Sequence, residues 1–155
     1  MLQLNLWIKK RLIEKGRLIM KYLGSCLCGE VTYEVKGDFE KFYLCHCERC
    51  RKDTGSAHAA NLFSSTAKLR WLSGQEKIKT FNFRSEGHIK SFCTNCGSAL
   101  PNLQMDGKLL VVPAGSMDSD INIRPQGHIY CANKANWDTK LEEVLKFDEL
   151  PKQSQ

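Results

Sequence analysis

From residue 29 onward, apolar and polar positions alternate in short runs. Val31, Tyr33 and Val35 alternate with Thr32 and Glu34, the period-two signature of a strand with one buried face. Comparable runs predict strands at 40–45, 57–63, 68–72, 77–83, 88–92, 98–104, 108–113, 127–131 and 141–147. Asp106-Gly107 between two apolar runs predicts a hairpin, because glycine accepts the positive φ that a tight turn demands. Only 48–54 suggests a helical turn, and glycines punctuate the rest at short intervals. The pattern therefore predicts a mainly β domain of curled antiparallel sheets with little helix.

Residues 1–19 look different. Leu2, Leu4, Trp7, Ile8, Leu12 and Ile13 permit an amphipathic helix whose other face carries the basic residues. Met20 offers a second start that leads directly into the first cysteine motif. Glu14-Lys15-Gly16-Arg17 can be encoded by a purine-rich stretch at the spacing of a bacterial ribosome-binding site. The expected organisation is an extension over 1–19 outside the fold, a single domain over 20–150 and a tail over 151–155. Intact mass of the natively expressed protein tells a start at Met20 from one at Met1.

A chain of 155 residues has room for one ordinary domain. No stretch approaches the roughly 20 apolar residues that span a bilayer, and no secretory h-region follows the N-terminus. The expectation is a cytoplasmic protein without membrane contact. The net charge of +6 is uneven: residues 1–19 hold +4 and the remaining 136 residues only +2. That distribution weakens a nucleic-acid-binding reading, because the domain itself has little charge excess to attract phosphates.

Eight cysteines in a reducing compartment read as metal ligands or redox thiols. Seven lie in three clusters: Cys26-Leu27-Cys28-Gly29, Cys45-His46-Cys47-Glu48-Arg49-Cys50 and Cys93-Thr94-Asn95-Cys96-Gly97. A closed zinc site takes four ligands and a catalytic one keeps a position open. Four plus three is thus the simplest division: Cys26, Cys28, Cys93 and Cys96 around a structural zinc, and Cys45, Cys47 and Cys50 around a second. The competing division is one zinc ribbon from Cys47, Cys50, Cys93 and Cys96. Cys131, in an apolar run, is expected to be a small buried hydrophobe, with fourth ligand of the second zinc as its other reading. His46 should point away from its flanking ligands, and His58, His88 and His128 are expected to serve the core or the surface. Arg49, Arg51 and Lys52 can offset a thiolate-rich site and attract an anion.

At these clusters the chain resembles the glutathione-dependent formaldehyde-activating enzyme family, also called the CENP-V/GFA domain family. The resemblance runs from Gly24-Ser25-Cys26-Leu27-Cys28-Gly29 through Cys45-His46-Cys47-Glu48-Arg49-Cys50-Arg51-Lys52 and Phe92-Cys93-Thr94-Asn95-Cys96-Gly97-Ser98. It ends at His128-Ile129-Tyr130 and Ala135-Asn136-Trp137, and so covers about residues 22–140. It implies an Mss4-like β fold, two zinc ions per chain in the four-plus-three division, and glutathione as substrate. The implied reaction is carbon–sulfur lyase chemistry, with formaldehyde and glutathione giving S-hydroxymethylglutathione at Cys45, Cys47 and Cys50. Arg51 and Lys52 are expected to hold the glutathione carboxylates. The alternative is a non-enzymatic zinc module that binds a thiol metabolite or a protein partner.

Overall fold

The computed structural model describes residues 11–14, 17–83 and 87–151. Strands β1 (Arg11–Glu14), β2 (Arg17–Ser25), β3 (Thr32–Lys36) and β6 (Lys68–Ser73) form one sheet in the order β1-β2-β3-β6. A second sheet runs β10-β11-β5-β4-β12, from β4 (Lys41–Cys45), β5 (Ala59–Ser64), β10 (Asn102–Gln104), β11 (Leu109–Pro113) and β12 (Gly127–Ile129). The third holds β7 (Ile78–Phe83), β8 (His88–Cys93) and β9 (Ala99–Leu100). All named pairs are antiparallel except β12 with β4. One short helix, α1 (Glu48–Thr54), follows β4. No helix among the described residues is long and apolar enough to cross a membrane.

The alternation that predicts the strands also builds the core. Tyr33 and Val35 of β3 turn inward with Tyr22 of β2 and share a core with Phe42, Leu62, Leu110 and Val112 of the second sheet and Leu100 of the third. Cys26 and Cys93 belong to this same core, whereas Cys45 and Cys50 form a smaller cluster with Ala59, backed by Ile129. The chain thus ties Cys26 and Cys93 into its main core and puts Cys45 and Cys50 in a cluster to one side.

Four sequence expectations change. The helix permitted over 1–19 falls partly on residues outside the described set; within it, Arg11–Glu14 and Arg17–Ser25 are paired strands, and β2 crosses the expected boundary at residue 20. The single strand over 98–104 breaks at Pro101, whose nitrogen cannot donate to a ladder, and its halves join different sheets. The run 127–131 stops at Ile129 because Tyr130 turns left-handed (φ 58°). No strand forms over 141–147: Leu141–Glu143 is a 3-10 turn, and Val144, Leu145 and Phe147 are exposed. By contrast, β10 and β11 do form a hairpin around Asp106-Gly107, both with positive φ.

Glu34, between Tyr33 and Val35 on β3, lies on the opposite face yet is fully buried. Lys21 and Arg70, from the strands on either side, both reach its carboxylate, Arg70 at 3.1 Å. Burial pushes the carboxyl up, but the two cations outweigh it and hold it below the usual carboxylate range. The native state therefore releases this proton more readily than the unfolded chain does. The resulting stability is fully present above the ordinary glutamate value of about 4.3 and is lost as pH falls through the lower native value. Glu34→Gln is expected to cost about 2 kcal/mol at neutral pH, since both cations keep partial access to water. Urea unfolding at pH 7 and near pH 3 checks this; an equal penalty at both would refute the linkage.

Candidate metal centres and the adjoining cleft

Cys26 and Cys28 sit in the turn between β2 and β3, Cys93 ends β8, and Cys96 lies in the turn that leaves it. Each turn closes on a glycine amide: Gly29 N–H donates to the Cys26 carbonyl three residues back, and Gly97 N–H to the Cys93 carbonyl four residues back. Gly29 (φ 76°) and Gly97 (φ 75°) both occupy the left-handed region, which a side chain would strain. The Leu27 amide donates to the Ser98 hydroxyl at 3.0 Å, tying one turn to the other. Cys26 and Cys28 sulfurs are 3.4 Å apart, and Cys28 and Cys93 sulfurs 3.9 Å. A tetrahedral thiolate site needs about 3.8 Å between sulfurs. The Cys96 thiol is pulled down to about 5 by the Ser98 hydroxyl and by nearby backbone amides. All four sulfurs lie within 4.8 Å of one another, so this group can hold a metal ion.

The second group is more local. Cys45 ends β4, Cys47 caps α1 by accepting the Cys50 amide at 3.3 Å, and Cys50 lies in the first helical turn. Their sulfurs also fall within 4.8 Å of one another. Burial first, then the adjacent Cys47 and Cys45 sulfurs, pushes the Cys50 thiol far up. Three sulfurs this close cannot all carry charge unless a cation sits among them. The group fits a metal ion on that ground. It contains no fourth cysteine, histidine or carboxylate among the described residues.

The structure therefore separates Cys47 and Cys50 from Cys93 and Cys96, which removes the zinc-ribbon division. Cys131 lies outside both groups and is exposed on a 3-10 turn, not buried in a strand, because Tyr130 has already ended β12. His46 does point away from the sulfurs. Its Nδ1 is 2.7 Å from Asp138 Oδ2 and its Nε2 is 2.7 Å from His128 Nδ1. His58 packs against this pair, 5.2 Å from the His46 ring; burial, His46 and His128 all hold it below the ordinary imidazole value. The ring pinned between Asp138 and His128 fixes the backbone that carries Cys45 and Cys47. Nothing in the local sequence announced Asp138.

A cleft of about 1230 Å³ runs beside the second group, lined in part by Cys45, Cys47 and Cys50. That is ample for a tripeptide-sized ligand. Helix phase decides which charges face it: Glu48, Arg49 and Asp53 line the cleft, while Arg51 and Lys52 do not. Lys52 is exposed, 4.0 Å from Glu48. The cations lining the cleft are Arg49, stacked 5.1 Å over the Phe83 ring, and Lys90 of β8.

A family model described as glutathione-dependent formaldehyde-activating enzyme matches residues 21–133. The chain belongs to this family. The matched segment of this formaldehyde-activating enzyme family member contains all seven clustered cysteines and the whole lining of the cleft. A crystal structure of a Rhodobacter sphaeroides protein is similar in fold, at 22% identity and a TM-score of 0.50, over 68% of this chain and 98% of that one. No curated protein sequence matches the chain significantly.

Proposed function

We propose that this chain is a zinc-dependent carbon–sulfur lyase acting on a thiol adduct, with glutathione and formaldehyde as the pair that forms S-hydroxymethylglutathione. The observation that carries the reading is the second sulfur group, which offers three ligands and faces a large cleft. Zinc suits both groups, because soft thiolates select it over hard cations and it carries no redox chemistry. Cys26, Cys28, Cys93 and Cys96 would hold the structural ion, and Cys45, Cys47 and Cys50 the second. When bound there, zinc would supply an open position at which a thiol loses its proton near neutral pH.

The chain's own residues supply the rest. Arg49 faces the cleft and offers positive charge to the carboxylates of glutathione, in place of Arg51 and Lys52. The pinned His46 keeps Cys45 and Cys47 in one arrangement, so a small thiol ligand meets a preformed site. All eight cysteines are free thiols, which accords with a cytoplasmic, reducing setting.

The test is the rate of exchange between free and adduct-bound formaldehyde in the presence of glutathione, followed by exchange NMR with catalytic amounts of zinc-loaded protein. Acceleration above the spontaneous rate is expected, together with two zinc ions per chain, one of them made labile by glutathione. A rate equal to the spontaneous one, with both ions inert to the thiol, would refute the lyase and leave a zinc-binding module.

A further inference from the structure

We infer that His88, oriented by Asp53, is the proton-transfer group of the cleft, an assignment that rests on the lyase reading above. The argument begins on α1. Cys50 and Asp53 are three residues apart on this helix, so they share a face and lie about one turn, roughly 5 Å, from each other. Both line the cleft. Across from them, His88 and Lys90 are two residues apart on β8, which sends both side chains to the same side of the sheet. Both line the cleft as well.

The three side chains are locked together. Lys90 Nζ lies 2.6 Å from Asp53 Oδ1 and also donates to the Asp53 backbone carbonyl at 2.7 Å. That double contact pins the carboxylate at the end of the helix. The other oxygen, Oδ2, lies 3.2 Å from His88 Nε2. An ionised carboxylate can only accept, so Nε2 must carry a hydrogen, and Nδ1 becomes the nitrogen available to a ligand. None of these residues belongs to either sulfur group, and neither metal group gives them a structural task. The side chains are about four-fifths buried, yet they border the cleft in which the adduct would lie.

Adduct formation needs such a group. The sulfur lone pair forms the new carbon–sulfur bond, and the carbonyl π pair moves onto oxygen. That oxygen takes a proton from Nδ1–H of doubly protonated His88, which becomes neutral and is reprotonated by solvent. In the reverse direction neutral Nδ1 accepts the hydroxyl proton, the carbonyl reforms, and the carbon–sulfur pair leaves with sulfur. Atoms and electrons balance with no oxidant or reductant.

The test compares exchange-NMR turnover, zinc content and glutathione affinity for wild type, His88→Gln and Asp53→Asn. Gln can still hydrogen-bond Asp53 but cannot pass a proton. His88→Gln is expected to lower catalysed exchange on the order of 10²-fold, with two zinc ions retained and glutathione affinity within twofold. Asp53→Asn, which loosens the tautomer, is expected to lower it about tenfold. Turnover within threefold of wild type in a fully zinc-loaded His88→Gln protein would overturn the assignment and leave the lyase standing. If His88→Gln does not fold, Asp53→Asn decides alone, and unchanged turnover there overturns it. A wild-type protein that accelerates nothing would refute the lyase and the role of His88 together.

Discussion

Chains carrying Cys93→Ser are expected to be unfolded, whereas chains carrying Cys47→Ser are expected to fold and to hold one metal ion instead of two. The contrast follows from how much chain each group ties together. Cys26 and Cys28 meet Cys93 and Cys96 across about 65 residues of sequence, so a metal there removes a large loop from the unfolded ensemble. Cys93 and Cys26 are also buried among the core side chains, at 0% and 3% exposure. The hydroxyl that Cys93→Ser introduces would be left in that core as a poor ligand for the ion the four sulfurs can hold. Binding energy at such a structural site counts as folding energy. Its loss, about 5 kcal/mol or more, rivals the whole stability of a typical domain. Cys45, Cys47 and Cys50 span only six residues and pack in a side cluster, so losing their ion releases little loop entropy. Circular-dichroism melts with zinc analysis of both variants read the difference. A Cys93→Ser protein that melts like wild type would refute the division of labour between the two groups.

The second large effect lies at Gly24→Ala. Gly24 pairs with Tyr33 across β2 and β3, immediately before the first cysteine turn. A Cβ there would stand 2.2 Å from Tyr33 Cζ, 2.3 Å from its hydroxyl oxygen and 2.6 Å from the Ser116 carbonyl. None of the three can step aside. Tyr33 is fully buried, and its hydroxyl lies 2.6 Å from Ser116 Oγ, which itself donates to the Pro113 carbonyl at 2.7 Å. Overpacking against both ring and backbone is expected to cost about 3 kcal/mol. For a chain of this size that lowers the melting temperature by about 10 °C. Tyr33→Phe should not rescue it, because the clash with Cζ remains. Urea unfolding of the single and double variants checks this, and a Gly24→Ala penalty below about 1 kcal/mol would contradict it.

What could be read from sequence follows from the range of the interactions. The strand at Tyr33 and Val35, the hairpin at Asp106-Gly107 and the grouping of seven cysteines all rest on local patterns. Strand β2 was less visible because Lys21 and the upstream basic residues interrupt its apolar positions, although Met20, Tyr22 and Gly24 do alternate inward. The run at 141–147 has strand composition but no neighbour to pair with, and composition alone does not supply one. Arg49 replaced Arg51 and Lys52 at the cleft because a cluster of charges does not reveal the rotational phase of the helix that carries it. Asp138 beside His46 and His88 beside Asp53 are partners 92 and 35 residues apart. No local signal marks such pairs; they become visible only when the sheets bring them together.

The parallel pairing of β12 with β4 separates the two sulfur groups in time. Every ligand of the core group has been synthesised once Cys96 leaves the ribosome. The side group holds its three sulfurs far earlier, by Cys50, yet its frame waits for Ile129 to receive the His46 amide and for Asp138 to seize the His46 ring. A nascent chain thus has all four sulfurs of its core group tens of residues before it has every residue that frames its side group. Its three thiols are close in sequence throughout that interval, but nothing yet frames them. For such a chain, the late arrival of a short strand and a single carboxylate marks the moment at which a cluster of reactive cysteines becomes a defined site.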